Sequence, residues 1–160
     1  MMQEWTSENF HALLNNPKDL SDFKDFAARD FSSENVVFHE MYHALLFRVV
    51  DHYNKSDTRR EPLDFKSVLQ SPIPETFFQD FENLYDMFFK SGTDYELNVN
   101  YSTSKEIREK MKLPPAEWKM SMFADAYREI FDLLFSDTYI KFLKNKEEKR
   151  WQDKTGTTKW

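Results

Sequence analysis

The sequence predicts an all-α fold, and three observations carry that expectation. Apolar residues return at intervals of three and four along most of the chain, the spacing that lines one face of a helix. Only 2 Gly and 6 Pro interrupt 160 residues rich in helix formers. No segment reads as a convincing strand. With 40% hydrophobic residues and 16 Phe, the chain has enough apolar bulk to offset the ordering entropy of one domain, and its length argues against two. Residues 1–150 are read as that domain, and 151–160, which contain "DKTGTTKW", as a polar, frayed tail.

The elements follow in order. Ser7 to Leu14 sets Phe10, Leu13 and Leu14 on one face and ends at "NNP", where Pro17 forbids continuation. A second helix begins near Asp19, an acceptable N-cap, with Leu20, Phe23, Phe26 and Ala27 at helical spacing. "RDFSSEN" breaks the pattern. Ser32 or Ser33 then caps a long helix to about Tyr53, with Glu34 suited to the positive end of the helix dipole. Asn54 to Pro62 is the most polar stretch and reads as an exposed loop. After Pro74, the spacing of Phe77, Phe81, Leu84 and Phe88 marks an amphipathic helix that closes at Ser91-Gly92. "TDYELNVNYS" lacks helical periodicity and turns into Thr103, which with Glu106 forms a capping box for a helix to about Met111. Pro114-Pro115 separates off the next helix, striped by Trp118, Met122, Phe123, Ala126, Ile130, Phe131 and Leu134. Asp137 restarts a last helix carrying Tyr139, Ile140, Phe142 and Leu143, which fades into "KNKEEKR". The sum is about eight or nine helices.

Charge and composition narrow the function. A net charge of −6 opposes a general affinity for nucleic acid, so no nucleic-acid partner is expected. The absence of cysteine removes disulfides and thiolate chemistry and fits an intracellular protein. The longest uninterrupted apolar run, "ALLF", is far too short for a membrane span, and "MMQEWTSENF" lacks the regions of a signal peptide.

One string poses a chemical question. "VVFHEMYHALLF" holds His39-Glu40-Met41-Tyr42-His43, an H-E-x-x-H pattern that on a helix places two imidazoles on one face, with Glu40 able to polarise a zinc-bound water. A catalytic zinc needs a third ligand. The extended form of the motif would place Gly at 46 and His at 49, where the chain has Leu46 and Val49. The other source is a Glu about twenty residues on, and Glu61, beside Pro62 in a polar stretch, is the only Glu near that distance. A zinc hydrolase is therefore the remote alternative, and no metal or other cofactor is expected.

Three segments carry a family resemblance: "LSDFKDFAARDFSSENVVFHEMYHALLF", "IPETFFQDFENLYDMFFKSGTDYELNVNYST" and "FADAYREIFDLLFSDTYIKFLKN". Within them stand Ser33-Glu34-Asn35, Glu96-Leu97-Asn98 and Asp137-Thr138-Tyr139-Ile140-Lys141-Phe142-Leu143, in order and suitably spaced. Over about residues 8 to 145 the chain resembles the domain of the regulators of G-protein signalling. The resemblance implies an all-α fold in two subdomains, one from both chain ends and one a bundle of the middle helices. It implies a GTPase-activating protein, without a catalytic group of its own, for the GTP-bound Gα subunit of heterotrimeric G proteins. It places Phe31, Glu34, Asn35, Asn98, Leu133, Asp137, Thr138 and Lys141 on the Gα-binding surface. A cytoplasmic monomer, recruited by partners to the inner face of the plasma membrane, is the accompanying expectation.

Each of these residues also has a reading that needs no partner. Glu34 and Asn35 suit a first helical turn, Asn98 suits a turn, Asp137 suits an N-cap, and Leu133 suits the core stripe. The sequence departs from the family pattern at three positions: Lys141 stands where Arg is common, Thr138 where Ser is usual, and His39 where a Trp packs between the subdomains. A lysine cannot form the bidentate fork of a guanidinium. The alternative function is accordingly a scaffold of the same fold that binds Gα or another signalling protein without accelerating hydrolysis.

Overall fold

The computed structural model describes residues 4–56 and 65–155. Eight α-helices occur among the described residues: α1 (Ser7–Leu14), α2 (Pro17–Arg29), α3 (Ser33–Ser56), α4 (Phe65–Leu69), α5 (Phe78–Phe88), α6 (Tyr101–Met111), α7 (Ala124–Leu133) and α8 (Tyr139–Thr155). No strand is present among them, only an isolated bridge between Pro72 and Lys119. The all-α expectation holds. The chain divides into two compact units, one from residues up to Val36 and from Phe131 onward, the other from Val37 to Ile130. This is the division into a terminal and a central part that the family resemblance implies.

The terminal unit has an aromatic core. Phe10 on α1 meets Phe23 on α2 with ring centroids 5.7 Å apart and Tyr139 on α8 at 4.7 Å, while Phe23 meets Phe142 edge-on at 5.3 Å. Phe10, Phe23 and Tyr139 are fully buried, and each aromatic side chain so buried contributes about 1.5–3 kcal/mol. Before α1, the Trp5 ring stacks on Phe135 at 4.7 Å and its indole N–H donates to the Phe135 carbonyl at 2.8 Å.

Several boundaries differ from the sequence expectation. α2 starts at Pro17, and its N-cap is Asn16, whose Oδ1 accepts from the backbone N–H of Lys18 and Asp19. Proline at the first helical position has no N–H to leave unsatisfied and its φ suits a helix, so the residue that stops α1 also opens α2. Asp137 does not restart a helix: α7 passes into α8 through a π-helical turn, 134–138, with Leu133 and Tyr139 both in the right-handed helical region. α8 runs on through 155, so 151–155 continue the helix; residues 156–160 lie outside the described residues.

In the central unit, Phe38 and Tyr42 on α3 face Phe88, Phe89 and Phe123 at centroid distances of 5.1 to 5.8 Å. Phe81, Leu84 and Phe88 on α5 are buried at the three- and four-residue spacing read in the sequence. α6 begins at Tyr101, two positions before the expected cap, with Asn100 as an N-cap that makes no side-chain hydrogen bond. The Thr103–Glu106 capping box therefore lies inside the helix. The stripe from Trp118 is divided: 3₁₀ turns cover Pro115–Glu117 and Met120–Phe123 before α7 starts. α4 was not foreseen. α3 reaches Ser56, three residues past its expected end and into the stretch read as a loop; the rest of that loop, with Glu61, lies outside the described residues.

Candidate functional site

Seven of the eight candidate residues lie in the terminal unit: Phe31, Glu34, Asn35, Leu133, Asp137, Thr138 and Lys141. Their geometry begins at the end of α2. The Ser32 N–H donates to the Ala27 carbonyl at 2.9 Å, and Phe31 between them has φ +58°. This is the turn that closes a helix with a left-handed residue just past its cap, a place where glycine is usual because a Cβ crowds the backbone. Phe31 occupies it with its side chain 92% exposed. An aromatic ring held out in water, on a backbone conformation that costs about 1 kcal/mol or more, has no explanation within the fold.

Ser32 is held from two sides. Its hydroxyl donates to the Ala27 carbonyl at 3.4 Å and accepts from the Thr138 hydroxyl at 3.4 Å. Thr138 is only 1% exposed. The π-turn aims Thr138 inward, where its hydroxyl bonds Ser32. Next in α3, Glu34 is half-buried and Asn35 is buried, and Asn35 Oδ1 has no hydrogen-bond partner. A buried polar atom left unpaired is costly within a fold.

Leu133, at the end of α7, is 41% exposed rather than core. Asp137 and Lys141 are both exposed on the π-turn and α8. Lys141 Nζ lies 3.3 Å from Asp137 Oδ2 and 3.6 Å from Asp30 Oδ2, so one ammonium bridges two carboxylates. The Asp137 hydrogen bond and charge, followed by the charge of Asp30, raise the Lys141 pKa above its ordinary value. The N-cap role read for Asp137 is absent; the carboxylate is turned to Lys141 instead. Asp30 and Ser32 join this cluster in the terminal unit; the sequence offers Ser32 only as a helix cap and does not mark Asp30, because the π-turn that brings Thr138 and Lys141 to them has no sequence signature of its own.

Asn98 belongs to the central unit. Its loop is tied down with care. Thr93 Oγ1 donates to the Met87 carbonyl at 2.9 Å, the Gly92 N–H, at φ +83°, donates to Glu96 Oε2 at 3.0 Å, and the Leu97 N–H donates to the Phe88 carbonyl at 2.9 Å. Leu97 is buried, whereas Asn98 is exposed and its carboxamide has no hydrogen-bond partner among the described residues. The arrangement presents a donor and an acceptor to solvent from a fixed backbone.

The model for the Regulator of G protein signaling domain matches residues 9–147. The chain belongs to this family. It is similar to Regulator of G-protein signaling 1 of Mus musculus, 24% identical over 144 residues, which cover 90% of this chain and 55% of the relative. It is likewise similar to the protein of that name from Equus caballus, at 24% identity over 90% of this chain and 59% of the relative. The chain thus spans about half the length of the curated relatives it matches. Within the family frame His39 stands at the position where a Trp is usual, and the structure buries it to 8% exposure. Its ring lies 5.1 Å from that of Tyr127, and the Tyr127 hydroxyl is 3.5 Å from both ring nitrogens. Among the described residues no group of three or more His, Cys, Asp or Glu is placed to share a metal ion. Nor is any helix among them long and apolar enough to cross a membrane.

Proposed function

We propose that this chain binds the GTP-bound Gα subunit of a heterotrimeric G protein and accelerates its GTP hydrolysis, with residues 1–150 acting as the single domain responsible. The observation that carries the reading is Asn98: an exposed carboxamide without an internal partner, on a loop fastened at both ends. Gα supplies its own Arg and water-orienting Gln. A partner that binds the transition-state arrangement of the switch segments better than the ground state lowers the barrier by that difference. A hundredfold acceleration requires about 2.7 kcal/mol, within reach of two or three hydrogen bonds made only in the transition state. Asn98 both donates and accepts, which suits it to steady a switch side chain and a neighbouring hydroxyl together. Phe31 and Leu133 supply exposed apolar contact, while Glu34, Asn35, Asp137 and Lys141 supply polar contact; Thr138 acts from behind by holding Ser32.

One observation favours the second reading, a scaffold that binds Gα without accelerating hydrolysis. Asp137 is already bound to Lys141, whose charge competes with any switch N–H the carboxylate would otherwise accept. Single-turnover GTP hydrolysis by a panel of Gα subunits, with and without the native chain and its Asn98→Ala variant, decides between the two. Acceleration that falls by about a hundredfold in the variant supports activation through Asn98. Tight Gα binding with no acceleration supports the scaffold.

A further inference from the structure

The backbone that presents Asn98 is pinned at two points of different kinds. On one side the Leu97 N–H meets the Phe88 carbonyl, and the Leu97 side chain is buried. On the other, the Asn100 N–H donates 3.0 Å to Oε1 of Glu129, a residue of α7. Asn100 is the N-cap of the 11-residue helix α6 and has no side-chain cap of its own. The Glu129 carboxylate bonds the N–H of the cap residue itself, one of the donors left without an intrahelical partner, and stands at the positive end of the helix dipole. Its other oxygen, Oε2, is buried with no hydrogen-bond partner. Placing half a carboxylate in that position is unfavourable by itself, and the bond to Asn100 is what the structure gains from it.

We propose that Glu129 is a positioning residue that aims the Asn98 carboxamide at the Gα switch region, an inference that rests on the role given to Asn98 above. With the 96–97 and 99–100 peptide groups held and the Leu97 side chain buried between them, the span from 97 to 99 has few backbone conformations left. Releasing the Asn100 N–H frees the C-terminal side of this short span. A carboxamide that must meet a donor and an acceptor at once is sensitive to displacements below an ångström.

Two measurements on the full chain test the proposal, with circular dichroism first establishing that each variant is folded. Amide exchange at Asn100, followed by NMR with no Gα present, should be about tenfold faster in Glu129→Ala, and near native in Glu129→Gln, which keeps an acceptor oxygen; protection unchanged in the Ala variant overturns the proposal. In single-turnover hydrolysis, Glu129→Ala should lower acceleration about tenfold in the native background and add nothing to Asn98→Ala, because residues acting through one another are not additive. Losses that multiply would mean that Glu129 acts independently of Asn98, which also overturns it. If the native chain accelerates no Gα, the reading of Asn98 falls instead, and the exchange measurement alone decides whether Glu129 holds the loop.

Discussion

Phe31 sets two requirements against each other. Its φ of +58° is a conformation that glycine adopts freely and a phenylalanine adopts under strain, and at 92% exposure its ring gains almost no burial in return. Phe31→Gly should therefore raise stability by about 1 kcal/mol, or about 2–4 °C in Tm, while weakening association with Gα. A fall in Tm would show that the ring supports the fold, and unchanged Gα affinity would remove it from the binding surface. The sequence held Phe31 as a rim residue through resemblance alone; nothing in "RDFSS" announces the left-handed turn, because the signal for it is normally a glycine. The burial of Thr138 is hidden in the sequence for a related reason. Its neighbours Asp137 and Lys141 are exposed and it is not, and the direction of a side chain after a π-turn cannot be counted off at 3.6 residues per turn.

Among the elements, α2 offers a clean measurement. Asn16 Oδ1 accepts from two orphan N–H groups at the start of the helix, at 3.1 Å each. Asn16→Ala should cost about 1 kcal/mol, read as a shift of the urea midpoint with an unchanged m-value; an Asn16→Asp variant should retain most of the stability. A loss no larger than a few tenths of a kcal/mol would mean that Pro17 alone defines the helix start. Helices with a strong apolar period were legible: α5 is the clearest, since Phe81, Leu84 and Phe88 needed only their spacing. The start of α6 was not. Thr103 and Glu106 have the letters of a capping box, but the helix starts at Tyr101, and the carboxylate of Glu129, 29 positions along the chain, accepts the N–H of its N-cap Asn100. A local motif lost to a contact that no local pattern encodes. α4, five residues beginning at the edge of the described residues, is too short to show a period at all.

At the scale of the whole molecule, aromatic burial predicts behaviour at high pH. Burial pushes the Tyr127 phenol up to about 12 and that of Tyr42 well above its ordinary value. Above about pH 10 the unfolded chain loses these protons while the folded chain keeps them, so the folded state binds more protons and stability falls as pH rises. Urea unfolding at stepped pH should show full stability below about pH 10 and a decline from there towards 12. Tyr127→Phe should flatten part of that decline; an equally steep curve in the variant would locate the effect elsewhere.

The terminal unit is built from both ends of the sequence, and that has a consequence in time. Phe10 and Phe23 leave the ribosome early, but the rings that cover them, Tyr139 and Phe142, come late; the Trp5–Phe135 bond in the same unit spans 130 positions. At a synthesis rate of about 5–20 residues per second, the first two helices wait roughly six to twenty-five seconds for their core, while the central unit has its whole sequence available sooner. Two aromatic helices, α1 and α2, thus stay uncovered while the chain up to Tyr139 is being made, so their apolar faces are the ones exposed longest during synthesis.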